Sequence, residues 1–144
     1  MPARPLTRHV LGMVVGPTHD TVTTLALSYD PADPFMVRLG FEPTDPHPDG
    51  GVWEIDRDVL SQGLIRPSGV GDVRVGPHTR HGRPQSAPRG IAVDFFAPGE
   101  FGRVVLNQTD LREFLAATYE AVRAGAEAAR LDIEATISRL MDAA

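Results

Sequence analysis

Ile91 to Val122 reads IAVDFFAPGEFGRVVLNQTDLREFLAATYEAV, and the hydrophobic period changes within it. Ile91-Ala-Val-Asp-Phe-Phe96 and Arg103-Val-Val-Leu106 are short apolar runs parted by Pro98-Gly99, the pattern of two strands and a turn. From Thr109, a suitable N-cap, Leu111, Phe114, Leu115, Thr118 and Val122 recur at helical spacing. The last third of the chain therefore switches from strand to helix.

Upstream of this switch the chain reads as strands cut by Gly, Pro and Asp. Val10–Val15 stops at Gly16-Pro17, Thr21–Tyr29 is rich in β-branched residues, Phe35–Phe41 alternates, and Val52–Ile55 follows a loop rich in Pro, Asp and Gly. The short connections favour an antiparallel meander, since a parallel pair needs a long crossover. Asp56 is placed to cap a short helix that carries Asp58 in its first turn and ends at Gly63. Arg66 to Asp72 reads as a turn, Val73–Val75 as a strand, and Gly76 to Gly90 as a polar loop. Downstream, Gly125 interrupts the helical pattern. A second amphipathic run starts near Asp132, with Ile133, Ile137, Leu140 and Met141 on one face. That stripe is expected to cover the sheet, with self-association as the alternative. The expected fold is α+β: a single domain over residues 1–144, with about seven antiparallel strands, one short helix after the fourth and two C-terminal helices.

Composition removes several chemistries. The 144 residues contain no Cys, and all fourteen basic residues are Arg. Schiff-base and P-loop lysines, thiolate nucleophiles, disulfides and Cys-zinc sites are thereby excluded. No apolar run is long enough to span a membrane and the amino terminus lacks signal-peptide character, so the chain is expected to be soluble and intracellular. A net charge of −5 weighs against nucleic acid as a partner.

Each candidate constellation also has a plainer account. Glu54, Asp56 and Asp58 alternate as an acid–base or Mg²⁺ set would, but a strand edge followed by a capped helix explains them. His78 and His81 lack further zinc ligands nearby in sequence. Gly69-Val-Gly71 opens onto a strand, so it lacks the helix terminus that holds phosphate. No Gly-x-Ser-x-Gly elbow is present. No cofactor, metal or catalytic residue is assigned. Arg80, Arg83 and Arg89 in the polar loop, with Glu134 and Arg139 on the last helix, are the candidate partner-binding residues, because their charges have no evident folding role. The same arginines motivate a single-strand nucleic-acid alternative, although their loop offers no aromatic ring for base stacking.

Leu27-Ser-Tyr-Asp-Pro-Ala-Asp-Pro-Phe-Met-Val37, then Trp53-Glu-Ile-Asp-Arg-Asp-Val-Leu60, Gly63-Leu64 and Arg66-Pro-Ser-Gly-Val-Gly-Asp-Val-Arg-Val75 with Pro77, resemble the signature of the SsgA-like sporulation and cell-division proteins of actinobacteria. The resemblance runs loosely from Leu6 to Met141. It implies a curved antiparallel sheet of whirly-like type assembled as a homotrimer, and a non-enzymatic cytoplasmic role at division septa. The implied partners are further copies of the chain, another family member, or the ring GTPase FtsZ. Gly76 departs from the family pattern, where a larger residue, often aromatic or Arg, is expected before Pro77.

Overall fold

Inner-face side chains of strands far apart in the sheet order meet, which shows that the sheet is curled almost into a barrel. The computed structural model describes residues 4–42, 51–78 and 90–142. Its strands are β1 (Leu6–Val14), β2 (Thr21–Tyr29), β3 (Met36–Phe41), β4 (Gly51–Asp56), β5 (Ser68–Val70), β6 (Val73–His78), β7 (Gly90–Ala97) and β8 (Glu100–Asn107). They form one sheet in the order β4-β3-β2-β1-β8-β7-β6-β5, every pair antiparallel. β3 and β4 lie at one end of that order and β7 near the other. Yet the Phe95 ring sits 4.5 Å from Trp53 and 5.9 Å from Phe41, centroid to centroid.

Helix α1 (Arg57–Gly63) spans the gap between β4 and the β5–β6 edge. Its closeness explains Gly63. A Cβ there would fall 2.3 Å from Val75 Cγ1, so glycine lets the helix end lie against β6 as well as stop. Helix α2 (Gln108–Ala121) packs on β1, β8 and α1, burying Leu111, Phe114, Leu115 and Thr118 against the inner face. The core is the alternate set along each strand: Leu25, Leu27 and Tyr29 on β2, Val37 and Leu39 on β3, Ile91, Val93 and Phe95 on β7. Helix α3 (Glu127–Asp142) follows Gly125, whose φ of +86° is a left-handed conformation that glycine adopts without strain.

The α+β class, the antiparallel sheet and the presence of all three helices agree with the sequence reading; β6 and β8 run longer than expected, taking in Gly76–His78 from the supposed polar loop and Glu100–Gly102, and four further details differ. An eighth strand, Ser68–Val70, lies where a turn was expected; only Gly71, at φ +60°, and Asp72 form the turn. β1 begins at Leu6, because the polar residues Thr7 and His9 face outward and Arg8 reaches Glu113 of α2 at 3.9 Å, which hides the strand from an apolar-pattern reading. The α2 cap is Asn107, not Thr109: its side chain accepts from the backbone N–H groups of Thr109 and Asp110 at 2.8 and 3.2 Å.

The fourth difference is α3. It starts at Glu127, ahead of Asp132, and its stripe does not cover the sheet. Ile133, Ile137, Leu140 and Met141 are 47–73% exposed. The inner face is already filled by α2, so no apolar surface is left there for α3 to cover. Among the described residues no helix is long and apolar enough to cross a membrane.

Gly63→Ala is expected to lower stability by about 1–3 kcal/mol, the usual cost of overpacking a close contact. Urea denaturation of the variant beside the parent chain measures it.

Candidate functional site

The residues flagged in sequence separate into those that build the fold and those left at the surface. Asp56 caps α1, its Oδ1 accepting from the N–H groups of Asp58 and Val59 at 2.8 and 3.3 Å. Glu54 pairs across strands with Arg38 at 3.2 Å. Asp58 accepts the Tyr119 hydroxyl at 3.1 Å. The three carboxylates are thus engaged separately and converge on no reacting centre. Among the described residues no group of three or more His, Asp or Glu is placed to hold a metal ion.

The sequence reading missed Arg57, which is 1% exposed. Helical spacing places it one turn before the buried Leu60, a signal that was available in the pattern. One terminal nitrogen donates to the Tyr29 hydroxyl at 3.1 Å and to the Thr118 and Val122 carbonyls at 3.1 and 2.7 Å; the other meets Glu127 Oε1 at 2.6 Å. The Thr118 and Val122 carbonyls lie at the C-terminal end of α2, which has no basic residue of its own in the last turn. Arg57 supplies the missing cation from another helix and satisfies the Val122 carbonyl, while the Thr118 carbonyl also accepts the Val122 N–H at 2.9 Å. Its guanidinium carbon lies 4.1 Å from the Tyr119 ring centroid and 5.2 Å from that of Tyr29.

Tyr29 is held in turn by the motif that follows it. Its hydroxyl donates to the Pro34 carbonyl at 2.9 Å, while Asp30 Oδ1 accepts from the Ala32 N–H at 2.9 Å. The Tyr29–Pro34 turn and the Trp53–Leu60 segment, two separate parts of the quoted signature, therefore meet at one buried guanidinium. Burial raises the Tyr29 and Tyr119 hydroxyls above their ordinary pKa. Glu127 is held below the usual carboxylate range, first by its own backbone N–H and then by the Arg57 guanidinium.

This node fixes the start of α3, and beyond it the helix stands exposed. Glu134 sits beside Arg130 at 3.5 Å, and Arg139 donates to Thr136 Oγ1 at 3.3 Å. Five residues apart on a helix, Glu134 and Arg139 point in different directions and form no common site. Arg80, Arg83, Arg89 and His81 lie outside the described residues. α3 also presents an apolar stripe of Ile133, Ile137, Leu140 and Met141 flanked by the Arg130–Glu134 pair, while Asp132, Arg139 and Asp142 are exposed elsewhere on the helix.

Residues 23–127 match the family described as Streptomyces sporulation and cell division protein, SsgA. The match ends at Glu127, the Arg57 partner and first residue of α3. A sporulation-specific cell division protein SsgB of Salinispora tropica is 34% identical over 118 residues, covering 81% of this chain and 78% of that protein. The SsgB of Streptomyces coelicolor is 32% identical over 136 residues, with 91% and 90% covered. Among solved structures, an SsgA-like sporulation-specific cell division protein from Thermobifida fusca superimposes with a TM-score of 0.81 at 29% identity, over 96% of this chain and 97% of that one. A structure of SsgB, described in connection with longitudinal cell division during sporulation of Streptomyces coelicolor, gives 0.77 at 27% identity, over 90% and 98%.

Glu127→Gln tests the node through pH. A carboxyl with a depressed folded-state pKa stabilises the fold fully above its unfolded pKa of about 4.3, and that contribution is lost as pH falls through the lower folded value. The stability difference between parent and Glu127→Gln should thus be complete above about pH 5 and shrink progressively below about pH 4. Arg57→Leu, which leaves Glu127 buried without its cation, should cost about 3–5 kcal/mol at neutral pH. Urea midpoints across this pH range read both.

Proposed function

The chain belongs to the SsgA family of sporulation and cell-division proteins, and from that premise we propose that it is a non-enzymatic regulator or adaptor of sporulation-specific cell division. It acts in the cytoplasm at division septa, assembles as a homotrimer, and recruits FtsZ, another family member or cell-wall machinery by protein–protein contact. The observation that carries this reading is the exposed stripe of α3. Four large apolar side chains at helical spacing lie on a helix tethered at its first residue, which suits a surface meant for another polypeptide. The fates of Glu54, Asp56 and Asp58 support the non-enzymatic part. The carboxylates that most resembled acid–base machinery are engaged in pairing, capping and a tyrosine contact.

Ile137→Asp with Leu140→Asp tests the reading. Both side chains are exposed, so the double variant should keep the stability of the parent. It should fail to co-pellet with FtsZ filaments and fail to restore septation in a sporulating actinomycete lacking the gene, while light scattering reports whether the trimer is also lost. A double variant that pellets with FtsZ and septates as the parent does removes α3 from the function. Parent protein that neither pellets with FtsZ nor alters septation on deletion removes the division role.

A further inference from the structure

The outer face of the sheet carries a second site, away from α3. Val73, Val75, Val93, Phe95 and Val104 point into the core, so alternation turns Arg74, Asp94 and Arg103 outward. The register sets these three side by side, Arg74 opposite Asp94 and Asp94 opposite Arg103. The next outward row is Gly76 opposite Ala92, and beyond it His78 stands opposite Gly90. Two small residues between taller rows leave a trough, a groove of about 340 Å³ that Pro67 also lines. Gly76 is what keeps it open. Its φ lies outside the left-handed region, so the backbone does not require glycine. A Cβ there would meet Pro67 Cα at 3.2 Å, and a larger side chain would have to extend into the groove.

Charge decides what fits. Arg103 makes a bidentate pair with Asp94, at 2.6 and 2.9 Å. Arg74 has no ion pair among the described residues; its guanidinium carbon lies 5.7 Å from the Phe96 ring centroid, as that of Arg103 does from Phe101. The two rings pack on each other at 5.2 Å, so an aromatic pair props both guanidinium groups at the groove wall. Two arginines face one carboxylate on the surface of a chain whose net charge is −5. That local excess is a cationic site in an otherwise acidic field.

We propose that this groove binds an extended acidic segment of a partner protein, one carboxylate pairing with Arg74 while the backbone lies over Gly76 and Ala92. A peptide suits the site better than nucleic acid. Asp94 sits in the middle of the arginine row, where it would repel a phosphate chain. The site is separate from α3 and stands whether or not α3 recruits FtsZ.

The test uses the full chain and a fluorescein-labelled octapeptide, Ala-Glu repeated four times, with Ala-Gln repeated four times and an eight-nucleotide oligothymidylate as comparators. Anisotropy is followed at low salt and at about 0.5 M salt. The Glu peptide should bind at low salt, weaken at high salt, and exceed the Gln peptide at least tenfold. Arg74→Glu should weaken it at least tenfold, Asp94→Asn should strengthen it severalfold by freeing Arg103, and Arg112→Glu on α2 should leave it unchanged. All three positions are at or near the surface, and circular dichroism checks that each variant folds. Glu and Gln peptides binding alike, or Arg74→Glu behaving as Arg112→Glu does, overturns the proposal. Oligothymidylate displacing the peptide with the same dependence on Arg74 also overturns it and makes the groove a nucleic-acid site.

Discussion

A guanidinium withdrawn from water must find an anion and several acceptors, and at Arg57 the fold is arranged around that need. Desolvating such a charge costs several kcal/mol, and the attraction of one carboxylate offsets it only when further hydrogen bonds complete the shell. Arg57 obtains Glu127 from α3, two carbonyls from the end of α2, and a hydroxyl from the end of β2, with its Nε left unpartnered among the described residues. Because Arg57 is itself the first residue of α1, four elements share one point. None can move far without stranding a buried charge, so the node acts on geometry as much as on stability. It sets where α2 ends and where α3 begins.

The curl of the sheet follows from a related constraint. An antiparallel sheet with one apolar face must bury that face, and here the two ends of the strand order bend toward each other until Trp53 and Phe41 touch Phe95. Closure is completed by α1, drawn against β6 by the missing side chain of Gly63. α2 then fills the interior. With the inner face already filled by α2, α3 finds no apolar surface there to pack on, and its stripe remains exposed.

Most of the architecture was legible because it rests on local rules. Alternation located most strands, Asp56 located α1, and the change of period at Thr109 located α2 to within two residues. Misses arose where tertiary contacts overrode local pattern. Asn107 and Thr109 are both good caps, and only the strand exit of β8 selects between them. Glu127 sits among alanines with nothing local to mark it as a buried ion-pair partner. Arg57 lies between two aspartates and reads as a solvated charge, although its spacing to Leu60 pointed inward. The groove was hidden for another reason: Arg74, Asp94 and Arg103 are twenty to thirty residues apart or adjacent only through a turn, and register alone brings them into a row. The partner-binding residues chosen in sequence were selected for charge, and α3 exposes an apolar stripe beside its charged residues.

The tether of α3 bears on how an adaptor of this shape would work. A helix anchored at Glu127 keeps a defined starting point and direction while its later turns, among the described residues, stay largely exposed. An apolar stripe on such a helix gains more from a partner than one already packed against the core, because its full area is still in contact with water. The anchor also removes part of the ordering cost that a wholly unstructured tail would meet on binding. The same buried charge that locks α2 in place therefore prepares α3 for use outside the fold. Arg57 holds no partner itself, yet the presentation of the surface proposed for one depends on it.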